Sequence, residues 1–216
     1  MHVFLSASSK ATPISFVSVS TLSAFQSSLS AQQAKWIDAS GFTAESGSFV
    51  LLPDEQGDVN SVVCGLEDLR DVSAWLKVVD GLPIADYQLQ RPDDIEDRAW
   101  FDLHLHWALA QYRFARYKAS NSTMPKRLVL PSEMEESVLT NWNNAVSRAR
   151  DLINTPCEDC FPQTLSSVCE ELAQELKATV RVIQGDDLLD QGFPTVHRVG
   201  RAGGHPPCFI ELVWGR

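Results

Sequence analysis

The stretch Arg127-Leu128-Val129-Leu130-Pro131-Ser132-Glu133-Met134-Glu135 and its continuation to Asn154-Thr155-Pro156 decides how the chain is read. Residues 127–130 are apolar and β-rich, which predicts a short strand. Pro131 ends it. Ser132 followed by Glu135 has the spacing of a capping box, in which each side chain serves the other's backbone N–H. Val138, Trp142, Ala145, Ala149 and Leu152 then recur at three- and four-residue steps, so 133–153 is predicted to be an amphipathic helix with that stripe facing inward. Asn154-Thr155-Pro156 breaks it. A strand feeding a long helix, with more strands and helices on both sides, predicts an α/β fold.

Upstream the pattern repeats. Ile14 to Val19 is β-branched and strand-like, and Leu22, Phe25, Leu29 and Trp36 give one loosely spaced helix over 22–37. Phe49-Val50-Leu51-Leu52-Pro53 and Val59 to Cys64 flank the turn Asp54-Glu55-Gln56-Gly57-Asp58, a hairpin. Leu69, Val72, Trp75, Leu76 and Val79 predict a helix over 67–79, stopped by Gly81 and Pro83, and 86–90 is extended. Ile95, Ala99, Leu103, Trp107, Ala110, Phe114 and Tyr117 predict a continuous helix over 93–118, with Asp93, Asp94, Glu96 and Asp97 at its start and Arg113, Arg116 and Lys118 at its end, the order the helix dipole favours. Residues 121–125 read as a loop. Downstream, 163–177 is a helix facing inward with Leu165, Val168, Cys169, Leu172 and Leu176. Thr179 to Ile183 is a strand, 185–189 opens a short helix, 193–201 is ambiguous, and Phe209 to Trp214 is a strand. The strand–helix alternation restarts after 133–153, which places a boundary there. The organisation expected is 1–131, a linking helix 132–153, and 154–216.

The 216 residues carry 18 Lys and Arg against 28 Asp and Glu, a net charge of −10. That balance argues against a nucleic-acid grip spread over the surface, which needs clustered Lys and Arg. No apolar run approaches the ~20 residues of a membrane span. Serines interrupt the apolar N-terminus and Lys10 follows it, so it does not read as a secretory signal. Cys64, Cys157, Cys160, Cys169 and Cys208 form an odd, scattered set read as reduced thiols. All of this suits a cytosolic protein.

Candidate sites were weighed one by one. Cys157-x-x-Cys160 has no second Cys or His pair at zinc spacing, and it follows a long helix rather than a strand, so it is read as two unlinked thiols. His104 and His106 are two apart on a helix and do not share a face, so they read as partly buried or surface histidines. His197 and His205 have no metal spacing around them. Gly200, Gly203 and Gly204 with Arg201 match no phosphate-binding pattern and read as a turn. Glu133, Glu135 and Glu136 read as the first turn of a helix, and the Trp and Tyr residues of 93–118 and 133–153 as core. No catalytic, cofactor-binding or metal-binding residue is assigned from the residues themselves.

Residues 148–215 resemble the leucyl (cytosol) aminopeptidase family. The likeness rests on Arg150-Asp151-Leu152-Ile153-Asn154-Thr155-Pro156, Asp159, Pro162, Val180-Arg181-Val182-Ile183 and Gly185-Asp186-Asp187-Leu188-Leu189. It continues through Phe193-Pro194-x-Val196-His197-x-Val199-Gly200-Arg201-Ala202, Pro207 and Leu212-x-Trp214-Gly215. Gly41-Phe42, Gly47-Ser48, Leu51-Leu52-Pro53 and Gly65-Leu66 are similar more weakly. The resemblance implies an N-terminal α/β domain, a linking helix, and the first helix–strand elements of an incomplete α/β catalytic domain. It implies a metalloaminopeptidase that removes N-terminal residues from peptides in the cytoplasm as a hexamer, using two divalent ions, zinc or manganese. The family has small or apolar residues where this sequence has Cys157 and Cys160. Its metal-binding and catalytic motifs, which contain Lys-Gly, Phe-Asp-x-Gly-Gly and Asn-Thr-Asp-Ala-Glu-Gly-Arg, have no counterpart in residues 1–216. The chain alone is therefore expected to be inactive, as the N-terminal part of such an enzyme. The alternative expectation is a stand-alone, non-catalytic interaction or oligomerisation module. An apolar edge at 208–214 is further expected to lower solubility.

Overall fold

Val62 and Cys64 point to one side of their strand and Val63 to the other, and all three are buried. A strand covered on both faces belongs inside a sheet flanked by helices. The computed structural model, which describes residues 3–8, 10–118 and 124–215, shows that arrangement. The predicted loop residues Asn121, Ser122 and Thr123 lie outside the described residues, as does Arg216. The chain divides into two compact units, 1–148 and 149–216.

The first unit contains strands β1 (Phe4–Leu5), β2 (Thr12–Val17), β3 (Phe49–Pro53), β4 (Val59–Gly65), β5 (Asp86–Leu89) and β6 (Arg127–Val129). They form one sheet in the order β1-β6-β5-β2-β4-β3. Only β3 runs antiparallel, paired with β4 from Phe49↔Cys64 to Leu52↔Ser61 as the predicted hairpin. Asp54 Oδ1 closes its turn by accepting from Gln56 N at 2.9 Å and Asp58 N at 3.0 Å. Arg127 and Asp86 join the neighbouring strands β6 and β5 through two hydrogen bonds, 2.7 and 2.9 Å. That fork, with Ser8 Oγ donating to the same carboxylate, holds the Asp86 carboxyl below its ordinary range.

Helices cover both faces. On one, α3 (Val72–Gly81) and α4 (Asp97–Ala110) pack Trp75, Val78, Val79, Leu103 and Trp107 against Ile14, Val62, Tyr87 and Leu128. Trp107 lies 5.8 Å from Trp75 and 5.3 Å from Tyr87, ring centre to ring centre. The polar tips are satisfied: Trp75 Nε1 donates to Leu103 O and Tyr87 OH to Pro83 O. On the other face α1 (Leu22–Ser28) and α2 (Ala31–Ser40) bring Leu22, Phe25, Leu29 and Ile37 to Val17, Val50, Leu52 and Val63.

Several sequence expectations are corrected. The helix over 22–37 is two helices, because Leu29 is extended and Ser30 caps α2 by accepting from Gln33 N at 3.3 Å. The helix expected over 67–79 starts at Val72, where Asp71 accepts from Ala74 N. The helix expected over 93–118 is α4, ending at Ala110. It stops where the Gln111 side chain clamps Lys126, donating to its O and accepting from its N, both at 2.8 Å. Phe114 and Tyr117 lie beyond the helix and contact each other. Arg113, also beyond it, still caps the helix by donating to Ala110 O. Helix α5 (Glu136–Asn154) starts after Ser132 and Glu135, which sit in the turn before it. Its predicted inward stripe is not inward: Leu139 is its buried residue, while Trp142 is 54% exposed and Val138 40%.

The second unit contains α6 (Pro162–Leu176), β7 (Thr179–Gln184), α7 (Asp187–Asp190), α8 (Pro194–Gly200) and β8 (Cys208–Val213). The strands pair antiparallel from Thr179↔Val213 to Gln184↔Cys208. Helix α6 turns Ser166 and Ala173 inward rather than Leu165 and Leu176, which are exposed. The ambiguous segment 193–201 is helical over Pro194–Gly200.

Candidate functional site

The second unit holds a cavity of about 650 Å³, a volume in the range of small-molecule sites. Four local features build it. Pro156 O accepts from Asp159 N at 2.9 Å and Cys160 N at 2.8 Å, which winds 156–160 into a single helical turn. Pro162 at the first turn of α6 fixes the exit of that turn. Gly200 ends α8 with no room for a side chain, since a Cβ there would meet Pro207 Cβ at 2.3 Å. The loop 201–207 thus folds back over the helix end, and Gly185 N donates to Pro207 O to hold it.

Cys157, Cys160, Phe161, His205, Cys208, Thr195, Val196, Val199 and the three glycines line the cavity. The His205 ring stacks on Phe161, centres 4.0 Å apart and planes within 5°. Gln163 Nε2 donates to Pro206 O, and Cys208 Sγ to Pro162 O at 3.4 Å. Burial, and the neighbouring Cys169, push the Cys208 thiol up. No carboxylate, lysine or arginine lines the cavity. It can therefore offer apolar contact, thiol chemistry and the His205 imidazole. Among the described residues no group of three or more His, Cys, Asp and Glu side chains could hold a metal ion. These residues do not fit a divalent metal.

The structure thus gathers Cys157, Cys160, His205 and Gly200, Gly203 and Gly204, which were read separately. Cys208 and Phe161 were missed as cavity residues, because lining contributed from distant segments leaves no spacing to read. Arg201 is exposed and does not line this cavity, and residues 201–205 form a turn. His197 lies apart and contacts Asp186 at 3.0 Å.

His104 is fully buried in the first unit. Its Nδ1 bonds Trp100 O at 2.8 Å, and its Nε2 has no hydrogen-bond partner among the described residues. Desolvation pulls it down to about 4, against smaller opposing effects of Trp100 O and Glu133. It is a neutral core side chain. A second cavity, of about 430 Å³, lies between Trp36, Leu51 and the 54–57 turn. Trp36 Nε1 donates to Leu51 O there.

Known proteins share this architecture. Residues 12–131 match the family described as M17 aminopeptidase, N-terminal domain, and residues 147–216 match the cytosol aminopeptidase family, catalytic domain. The cytosol aminopeptidase of Coxiella burnetii is 30% identical with a TM-score of 0.90, over 99% of this chain and 46% of that one. The bottromycin maturation enzyme BotP, solved with Mn, is 20% identical with a TM-score of 0.72, over 94% and 45%. The leucine aminopeptidase of Caenorhabditis elegans is 16% identical with a TM-score of 0.65, over 98% and 47%. These last two share the fold. The chain spans about half the length of each of these structures. With the family's two domains matched in order along it, the chain belongs to the M17, or cytosol, aminopeptidase family.

Proposed function

We propose that this chain supplies the N-terminal domain and the opening elements of the catalytic domain of a cytoplasmic, metal-dependent leucyl aminopeptidase. In this reading residues 1–131 are the N-terminal domain, 132–153 the linking helix and 154–216 the start of the catalytic domain. The whole enzyme removes N-terminal amino acids from peptides, works as a hexamer, and uses two divalent ions, zinc or manganese, to activate water. Those ions and the residues that hold them belong to parts of the enzyme other than these residues. The observation that carries the reading is the ordered pair of family matches, 12–131 then 147–216.

The test is hydrolysis of a leucyl chromogenic amide with added Mn²⁺ or Zn²⁺. The 216-residue chain is expected to give no turnover. A chimera joining it to the remaining catalytic half of the Coxiella burnetii enzyme is expected to give metal-dependent turnover. Turnover by the chain alone would overturn the reading.

A further inference from the structure

We propose that Cys157 and Cys160 form a reversible dithiol–disulfide couple, a redox modification site at the cavity of the second unit. The geometry is that of the turn 156–160. Its two hydrogen bonds to Pro156 O wind the chain helically, and residues three apart on such a turn are neighbours. Their Cβ atoms stand ~5–6 Å apart in a regular helix. A disulfide needs ~3.5–4.5 Å, so closure requires a small tightening. Residues 156–158 are exposed and free of regular helix or strand, so the turn can supply that movement.

The two thiols divide the work by exposure. Cys157 is exposed and Cys160 half-buried. Both face the same cavity. Cys157 is placed to attack an incoming disulfide and Cys160 to resolve the product. Cys64 and Cys208 are poorer partners. Cys64 is fully buried in the first unit, and burial pushes its thiol far up. Cys208 is half-buried, donates to Pro162 O, and is pushed up as well.

The reaction balances with a small-molecule disulfide as oxidant. The Cys157 thiolate attacks one sulfur and expels one thiolate, leaving a mixed disulfide. The Cys160 thiolate then attacks Sγ of Cys157 and expels the second. The protein loses two protons and two electrons, and the oxidant becomes two thiols. Glu158 and Asp159 lie between the cysteines, and the chain carries a net charge of −10. An uncharged oxidant, bis(2-hydroxyethyl) disulfide, is therefore the probe.

The experiment treats the full 216-residue chain with that reagent, quenches with an alkylating agent, and digests with a protease that cuts after Glu158. That cut separates Cys157 from Cys160, and a second cut by chymotrypsin after Leu165 separates Cys160 from Cys169, so the peptides of Cys157 and Cys160 stay joined only if the bond lies between them. The expected product is that joined pair, with a protein mass lower by two hydrogens and full reversal by dithiothreitol. In Cys160→Ser the product becomes a stable hydroxyethylthio adduct on Cys157. Should a variant fold poorly, the digest of the unmodified chain decides alone. Peptides that separate, or a bond from either cysteine to Cys169 or Cys208, overturn the proposal.

Discussion

At the residue scale, His104 shows what a sequence position conceals. Two histidines two apart on a helix are visible in the sequence, but the fold decides that His104 is the fully buried one. A folded-state value near 4 against 6.5 unfolded means that between these pH values the unfolded chain binds a proton there and the folded chain does not. Stability must then rise with pH across that window, and fall as pH drops from about 6.5 towards 4. The shift corresponds to about 3 kcal/mol at full effect. His104→Asn cannot titrate. Its loss of packing is the same at every pH, so the wild-type-minus-variant difference isolates the proton. Urea unfolding of both at pH 7.5 and pH 4.5 should show wild type losing about 2–3 kcal/mol relative to the variant. A difference independent of pH would show that the ring binds its proton equally well in the folded and unfolded chain.

At the scale of elements, α5 supplies the sharpest contrast. Its sequence stripe pointed to Val138 and Trp142 as core, yet Leu139 is the side chain that reaches it. Leu139→Ala should therefore cost about 2–5 kcal/mol, as burial loss and cavity formation add. Trp142→Gln should change stability by less than about 0.5 kcal/mol despite the larger side chain removed. Chemical denaturation of the first unit in both variants distinguishes them, and the reverse ranking would restore the stripe. The error has a physical source. Periodicity reports that a helix has an apolar face, and α5 has more apolar residues than its one inward contact needs. The same limit explains α4, whose pattern ran on through Phe114 and Tyr117. A tertiary clamp from Gln111 to Lys126 ended it, and no local spacing encodes that clamp. Where the signal is local, it was legible: the β3–β4 hairpin, strands β2, β5, β6 and β7, and α6 follow from alternation, proline and turn residues. Ser30-x-x-Gln33 was an equally local signal for the start of α2, and was read as part of a longer helix. The cavity was illegible for the opposite reason. Its lining comes from two segments far apart in sequence, 157–162 and 195–208, and the fold brings them together.

For the molecule as a whole, burial is unevenly shared. The first unit holds two packed clusters, one on each face of its sheet. In the second, Ala173, Ile183 and Leu188 are the buried aliphatic side chains, while Ile153 is 82% exposed, Val199 76% and Trp214 73%. Small cores stabilise weakly, and clustered exposed apolar groups promote association. The boundary expected at 131 therefore needs moving for any truncation. A chain ending there would lose Leu139, buried in the main cluster, and Met134, which packs against it. Residues 1–148 keep both. Three chains then rank in two ways. In stability of the first unit, 1–148 should exceed 1–131 by about 2–5 kcal/mol, the usual cost of removing a buried leucine. In solubility, 1–148 should exceed 1–216, because residues 149–216 add exposed apolar surface with little core of their own. Urea unfolding gives the first ranking and size-exclusion chromatography at rising concentration the second. Equal stability of 1–131 and 1–148 would show that Leu139 is dispensable to the core. A clean monomer of 1–216 at concentrations where 1–148 associates would show that the exposed side chains of the second unit do not drive assembly.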